Sequence, residues 1–469
     1  MEECNEEKKN KNLFQKIITN PMLYIMIAII LFRIGYHSFF QEYSTYTDTK
    51  TYFESYEGDI WNGKIDRFRT PVYPELIRLI AQGETQRKVV FPSVVLMQEI
   101  ISLLSVIVFY MTFRKIVKSK KIAYVATIFY GCLPMLLELN LCILTESLSI
   151  SLLVFFFGLL MSYLQKPKVY KTIFLSIYTF FLIMLRPSFL YLLIVLGILW
   201  LLKLIIGKKE RIKALVGIVT IGIVLVGISQ YENLNLEQNE FKGISVVTVI
   251  NQLDTIVEND LYYQYEPKDQ DFYDLIKDSR SEKEKIWHLS VQNVLFDKKG
   301  YSKVGEFNSR CLDLNKEKYL QILLNRITDR VAEPLNQTYA ELKDKTNIHK
   351  IELFKAITFP LNFGILYLML IGEGIYFLCY LIKKKDIQWQ RFSLLLLIGG
   401  LLGTTLLGAQ AEYQRLITPI IPFVIMLLFL YLEKCIEIGK RYLRKDKDQE
   451  GKHFIEEEQE NTKEVKQEF

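Results

Sequence analysis

Residues 187–206 read PSFLYLLIVLGILWLLKLII, an apolar run whose one charge is Lys203. Twenty residues at 1.5 Å each reach about 30 Å, the thickness of a bilayer's hydrocarbon core. Working outward, runs of the same kind recur at 20–40, 91–113, 122–140, 143–164, 171–185, 213–230, 352–382, 391–409 and 412–434. Half of the 469 residues are hydrophobic, hard to keep dissolved in a soluble chain of this size, and they cluster in these runs. The sequence therefore predicts an all-α polytopic membrane protein with about ten transmembrane helices.

Charge sets the expected orientation. Lys8, Lys9, Lys11 and Lys16 precede the first span, and basic residues crowd the short stretches 114–121, 166–171, 203–213 and 383–391. Such loops stay in the cytoplasm, so both termini are expected there, in a multi-pass protein of the cell membrane. The net charge of +6 is used up in those loops and gives no reason to expect nucleic acid as a partner. The Lys-rich start and the length of the first span predict an uncleaved anchor. The six cysteines are scattered without metal-ligand spacing, and Cys311 stands alone in the large loop, so no disulfide is expected there.

The organisation that follows is a membrane module over 1–230 that includes a first outer loop, 41–90. An extracytoplasmic subdomain follows over 231–350, then a second membrane module over 351–434 and a charged tail over 435–469. The segment 231–350 is too long for a structureless connector and too polar to span. Its stretch 320–327 is apolar every three or four residues, which predicts a small, mostly helical unit. Glycines 217, 222, 227, 399, 400 and 403 lie in apolar helices and suggest close packing rather than a nucleotide loop.

Chemistry is confined to span ends. The first outer loop carries Asp48, Tyr52, Arg69 and Tyr73, and residues 73–80 form an amphipathic stretch suited to an interfacial helix that caps a cavity. Asp48 at the top of the first span reads as a general base, or as the cap of a helix starting near Thr49. Arg186 precedes Pro187 between two apolar runs. There it either snorkels to head groups or offers a forked cation to a phosphate. Arg415 has the same two readings in the short link before the last span. Glu146 opens the fourth span, as a first-turn acid favouring the helix dipole or as a substrate ligand. Glu99 and Glu373 lie within spans and are expected to pair with neighbours. His37 and His288 lack partners at metal spacing.

As a set, Asp48 and Tyr52, Arg69-x-Pro71-x-Tyr73-Pro74, Thr145-Glu146, Leu185-Arg186-Pro187 and Tyr413-Gln414-Arg415 resemble membrane glycosyltransferases of the GT-C superfamily. The protein O-mannosyltransferase-like and lipid A aminoarabinose transferase-like families are the groups meant. The resemblance implies transfer of a sugar from a polyprenyl-phosphate carrier to a lipid, glycan or protein acceptor at the outer face. It makes Asp48 the catalytic carboxylate, acting as base, and Tyr52, Arg69, Tyr73, Glu146, Arg186 and Arg415 substrate-binding residues. Many relatives carry a second acid directly after that Asp, whereas this chain has Thr49, so neither a metal nor another cofactor is expected. Two alternatives stand beside this reading. A polysaccharide polymerase or O-antigen-ligase-like enzyme would use Arg310, Arg326 and Arg330 of the large loop. A lipid-linked sugar transporter or flippase would need broken helices and inverted repeats.

Overall fold

A computed structural model describes residues 19–207, 210–263, 300–408 and 412–441. His288 and the tail beyond Arg441 lie outside them. Among the described residues the chain is helical, with isolated bridges in place of strands. The helices in order are α1 (Pro21–His37), α2 (Thr47–Phe53), α3 (Val72–Ala81), α4 (Arg87–Phe113), α5 (Lys120–Gly131), α6 (Pro134–Leu141) and α7 (Thr145–Gln165). They continue as α8 (Val169–Leu185), α9 (Tyr191–Ile206), α10 (Arg211–Asn239), α11 (Val247–Glu258), α12 (Gly300–Leu314) and α13 (Lys316–Asp329). The chain closes with α14 (Ile348–Thr358), α15 (Phe363–Lys384), α16 (Trp389–Gly408) and α17 (Tyr413–Arg441).

Seven helices among the described residues are long and apolar enough to cross a membrane, and α5 with α6 makes an eighth. The shorter apolar helices α1 and α8, 17 residues each, complete the ten segments expected from the sequence. The protein is an all-α polytopic membrane protein. Two expected spans are less regular than their apolar runs suggest. The pair α5–α6 bends by 41° at Cys132-Leu133, where Pro134 cannot donate back into the preceding turn. The run 352–382 is broken: α14 stops at Thr358, and Pro360 keeps Phe359 out of the helical region. The Asn362 side chain then accepts from the Ile365 N–H at 2.9 Å and starts α15 afresh.

α7 forms the middle of the bundle, packed by α4, α6, α8 and the first turns of α17. Two of the glycines serve close packing as expected. A Cβ on Gly217 would meet Trp200 at 2.4 Å, and one on Gly400 would meet Tyr191 at 2.4 Å. Gly222, Gly399 and Gly403 instead have nothing within 4 Å. Charges at the two ends differ in kind. One end pairs Lys118 with Glu437, Lys203 with Glu210 and Arg391 with Glu373. The other end gathers α2, α3, the α6–α7 and α8–α9 junctions, and α11 to α13. Helices α11 and α12 share a second apolar core around Leu253, Tyr262 and Phe307, in which Cys311 is buried with a free thiol.

A polar clamp that the sequence did not announce joins the long loop to the bundle. Glu138, fully buried on α6, accepts from Tyr36 Oη at 2.6 Å and from the Tyr339 N–H at 2.8 Å. Lys355 Nζ reaches the same carboxylate at 2.8 Å and also donates to Gln337 O and Thr338 Oγ1. Glu138→Ala strands a buried ammonium and a backbone N–H together. The expected loss is about 3–5 kcal/mol of folding free energy, read as a fall in thermal unfolding temperature in detergent. The carboxylates Glu99 and Glu373 also find partners, in Arg33 and His37 and in Arg391 and Tyr431 respectively.

Candidate active site

The site is assembled from four junctions at one end of the bundle. The first outer loop is shaped by Asp66, whose carboxylate accepts from the N–H groups of Glu57, Phe68 and Arg69 at 3.0, 2.8 and 2.7 Å. Segment 238–246 pins the same loop: Gln238 accepts from the Ile65 N–H at 2.8 Å, and Ser245 donates to Phe68 O at 2.7 Å. These contacts deliver Arg69 to α2. There its Nη2 donates to Asp48 Oδ1 at 2.7 Å, its Nε to Thr51 Oγ1 at 2.6 Å and its Nη1 to Tyr52 Oη at 3.2 Å. The guanidinium also lies 4.4 Å over the Tyr52 ring.

Asp48 sits in the first turn of α2 without capping it. Thr49 does that work instead, accepting from the Tyr46 N–H at 2.9 Å and donating to Ile143 O at 3.1 Å. Thr49 is thus a buried hydroxyl facing a carbonyl. Asp48 is left to the arginines. Arg415 Nη2 reaches its Oδ2 at 3.1 Å and also reaches Glu412 Oε2 at 2.6 Å. Arg415 Nη1 lies 3.4 Å from Glu146 Oε1, and Arg186 Nη2 lies 3.7 Å from the same oxygen. Arg69, Asp48, Arg415, Glu146 and Arg186 form one continuous web of alternating charge, drawn from residues up to 367 apart.

Burial grades this web. The Asp48 side chain is 32% exposed, whereas that of Glu146 is 2% exposed. Arg415 Nε and Arg186 Nη1 are buried with no hydrogen-bond partner. Burial alone raises the Asp48 pKa, but Arg69 and Arg415 outweigh it and hold the carboxyl below the ordinary carboxylate value. Asp48 is therefore ionised at neutral pH. It also forms part of the wall of a cavity of about 370 Å³ lined with Thr47, Thr51, Asp66, Phe68 and Ile250 among others. Arg186 and Arg415 are not among the residues lining that cavity; Arg415 meets Asp48 directly, and Arg186 meets Glu146.

Six of the seven residues singled out in the sequence take part in this constellation directly. Tyr73 stands behind it, its ring edge-on to Tyr52 at 5.1 Å and its hydroxyl on Gln98 at 2.8 Å. Sequence reading missed Asp66, Glu412 and Thr51. Asp66 had a signal, since an Asp two or three residues before the amides it accepts from makes a side-chain turn. The arginines of the large loop go elsewhere: Arg326 donates to Thr255 at 2.8 Å, and Arg330 stacks on Tyr413. Among the described residues no group of three or more His, Cys, Asp or Glu side chains is placed to hold a metal ion.

A family model, the Alg9-like mannosyltransferase family, matches residues 61–253, somewhat less than half of the chain. The matched stretch contains Arg69, Glu146 and Arg186; Asp48 and Arg415 lie outside it. Among solved structures, the chain is similar to the Archaeoglobus fulgidus oligosaccharyltransferase in the apo form, with 12% identity and a TM-score of 0.47 over 90% of this chain. It is also similar to the archaeal oligosaccharyltransferase AglB from Archaeoglobus fulgidus in complex with an inhibitory peptide and a dolichol-phosphate. There the identity is 11% and the TM-score 0.44 over 88% of this chain. The chain spans about half the length of these proteins, 52% and 50%. No curated protein matches it by sequence. Over residues 61–253 the chain is thus similar to mannosyltransferases, which agrees with the motif set.

Proposed function

We propose that this protein moves a sugar from a polyprenyl-phosphate donor to an acceptor at the outer face of the cell membrane, with both termini in the cytoplasm. The observation that carries the reading is Asp48, ionised at a cavity wall and joined through Arg415 and Glu146 to Arg186, with both arginines presenting buried N–H groups that lack partners. In the reaction, an acceptor hydroxyl or amine attacks the anomeric carbon from the cavity side. The bond from that carbon to the phosphate oxygen breaks, the acceptor proton passes to Asp48, and polyprenyl phosphate leaves. Charge growing on the leaving phosphate is met by Arg415 and Arg186, already oriented by Glu146 and therefore needing little reorganisation. A single displacement inverts the anomeric carbon. Tyr52 and Thr51 keep Arg69 against Asp48, and Tyr73 backs Tyr52.

The test is reconstitution in liposomes with a labelled polyprenyl-phosphate sugar. Transfer to a glycan, lipid or peptide acceptor with an inverted linkage is the expected result, and an intact donor under all acceptors overturns the reading. Sidedness is read separately from Ser55→Cys, beside the cavity. An impermeant maleimide added to whole cells is expected to label it above the background of the native cysteines. Labelling only after the cells are opened defeats the outer-face assignment.

A further inference from the structure

The web around Asp48 depends on where the first turn of α17 is held, and that turn is gripped from outside the bundle. Arg330, just past α13, lies 3.7 Å over the ring of Tyr413, two residues before Arg415. Glu333 accepts from the neighbouring Gln414 Nε2 at 3.2 Å and lies 3.9 Å from Arg330 Nε. This bracket is itself anchored at both ends. Arg326 on α13 donates to Thr255 of α11 at 2.8 Å, within the unit built on the second core. On the other side the Phe363 and Gly364 N–H groups donate to Glu333 O and Val331 O at 3.1 and 2.9 Å, at the start of α15. Gly364 allows that approach, since a Cβ there would meet Val331 O at 2.9 Å. Glu412 supplies the bend, with a left-handed φ of 57°.

We infer that Arg330 and Glu333 are positioning residues, through which the helical unit of the large loop sets Arg415 against Asp48 and Glu146; this rests on the proposed function. Arg415 Nη2 serves Asp48 at 3.1 Å and Glu412 at 2.6 Å, so a shift of the turn by about 1 Å breaks the first contact. Misplacements of that size cost catalysis up to about a hundredfold. Neither residue touches the web itself. Their effect passes through Tyr413 and Gln414.

The charges facing Asp48 decide the readout. They are Arg69 from the first loop, Arg415 with Glu412 from α17, and Glu146 from α7. Lys50, Glu57, Asp66 and Arg67 surround the cavity, and Tyr52 lies beneath Arg69. Loosening Arg415 removes one of the two guanidinium groups that keep the Asp48 carboxyl low.

Arg330→Ala in the full chain is expected to raise the donor KM about tenfold and to move the acid limb of kcat/KM to higher pH. Arg330→Lys, which keeps a cation over the ring, is expected to restore part of both. Arg310→Ala, exposed on α12, is expected to change neither. Hydrogen exchange of the amides of residues 413–418 reads the same inference without any turnover, and Arg330→Ala is expected to speed it. An active wild type whose Arg330→Ala variant keeps its acid limb and donor KM overturns the inference. Unchanged exchange at 413–418 overturns it too, whereas an inactive wild type counts against the proposed function alone.

Discussion

Asp48→Asn is expected to lower transfer by about a hundredfold to ten-thousandfold, the range contributed by a positioned general base. The substitution keeps shape and removes charge. Arg69 retains Thr51 and Tyr52, and Arg415 retains Glu146 and Glu412, so the variant is expected to fold. Initial transfer rates and thermal unfolding on the same preparation separate the two effects. A folded variant with wild-type rates removes Asp48 from the chemistry. The pH dependence follows from the same contacts. A base works only when ionised, and the Asp48 carboxyl lies below its ordinary value, so wild-type activity is expected to persist to unusually low pH. The linked stability has the same sign. Ionised Asp48 stabilises the fold at any pH above the unfolded pKa, and that contribution is lost as pH falls through the lower folded value.

Arg415→Gln carries the second-largest expected effect. It removes the cation that touches Asp48, Glu146 and Glu412 together, leaving Arg186, among the described residues, as the guanidinium within 4 Å of Glu146. If leaving-group charge is stabilised there, kcat/KM falls by about a hundredfold to a thousandfold, as for loss of one preorganised donor. A second consequence distinguishes this change from simple loss of binding. With Arg69 left as its paired cation among the described residues, Asp48 is expected to titrate higher, so the acid limb of the pH profile moves up with the fall in rate. Loss of rate with an unmoved acid limb would leave Arg415 a donor ligand uncoupled from the base.

Much of this architecture was legible because membranes make sequence patterns severe. Runs of about twenty apolar residues have few meanings, and a charge at the end of one stands out. Asp48, Glu146, Arg186 and Arg415 were visible for that reason, and the fold brings them within one web. What was not legible depends on partners far apart in the chain. Lys355 and Glu138 are 217 residues apart, and nothing local to either names the other. Glu138 did carry a warning as an acid inside an apolar run, but the run was read for its length. The break at 359–362 was hidden in the same way, since Pro360 and Asn362 sit within a stretch whose hydropathy spans them. Arg330 looked like one of several arginines in a polar loop, and its role emerges only when Tyr413 arrives beneath it.

The balance of charge in the web bears on how the proposed transfer would finish a cycle. Arg69, Arg186 and Arg415 are matched by Asp48, Glu146 and Glu412, so the resting site holds no surplus of positive charge. In the proposed reaction the donor is a phosphodiester with one negative charge, and the spent carrier is a monoester with about 1.5–2 at neutral pH. Bare guanidinium groups would grip the spent carrier harder than the fresh one and stall turnover. Glu146 and Glu412 contact the same cations, so on the proposed reaction they are expected to compete with the spent carrier and speed its release.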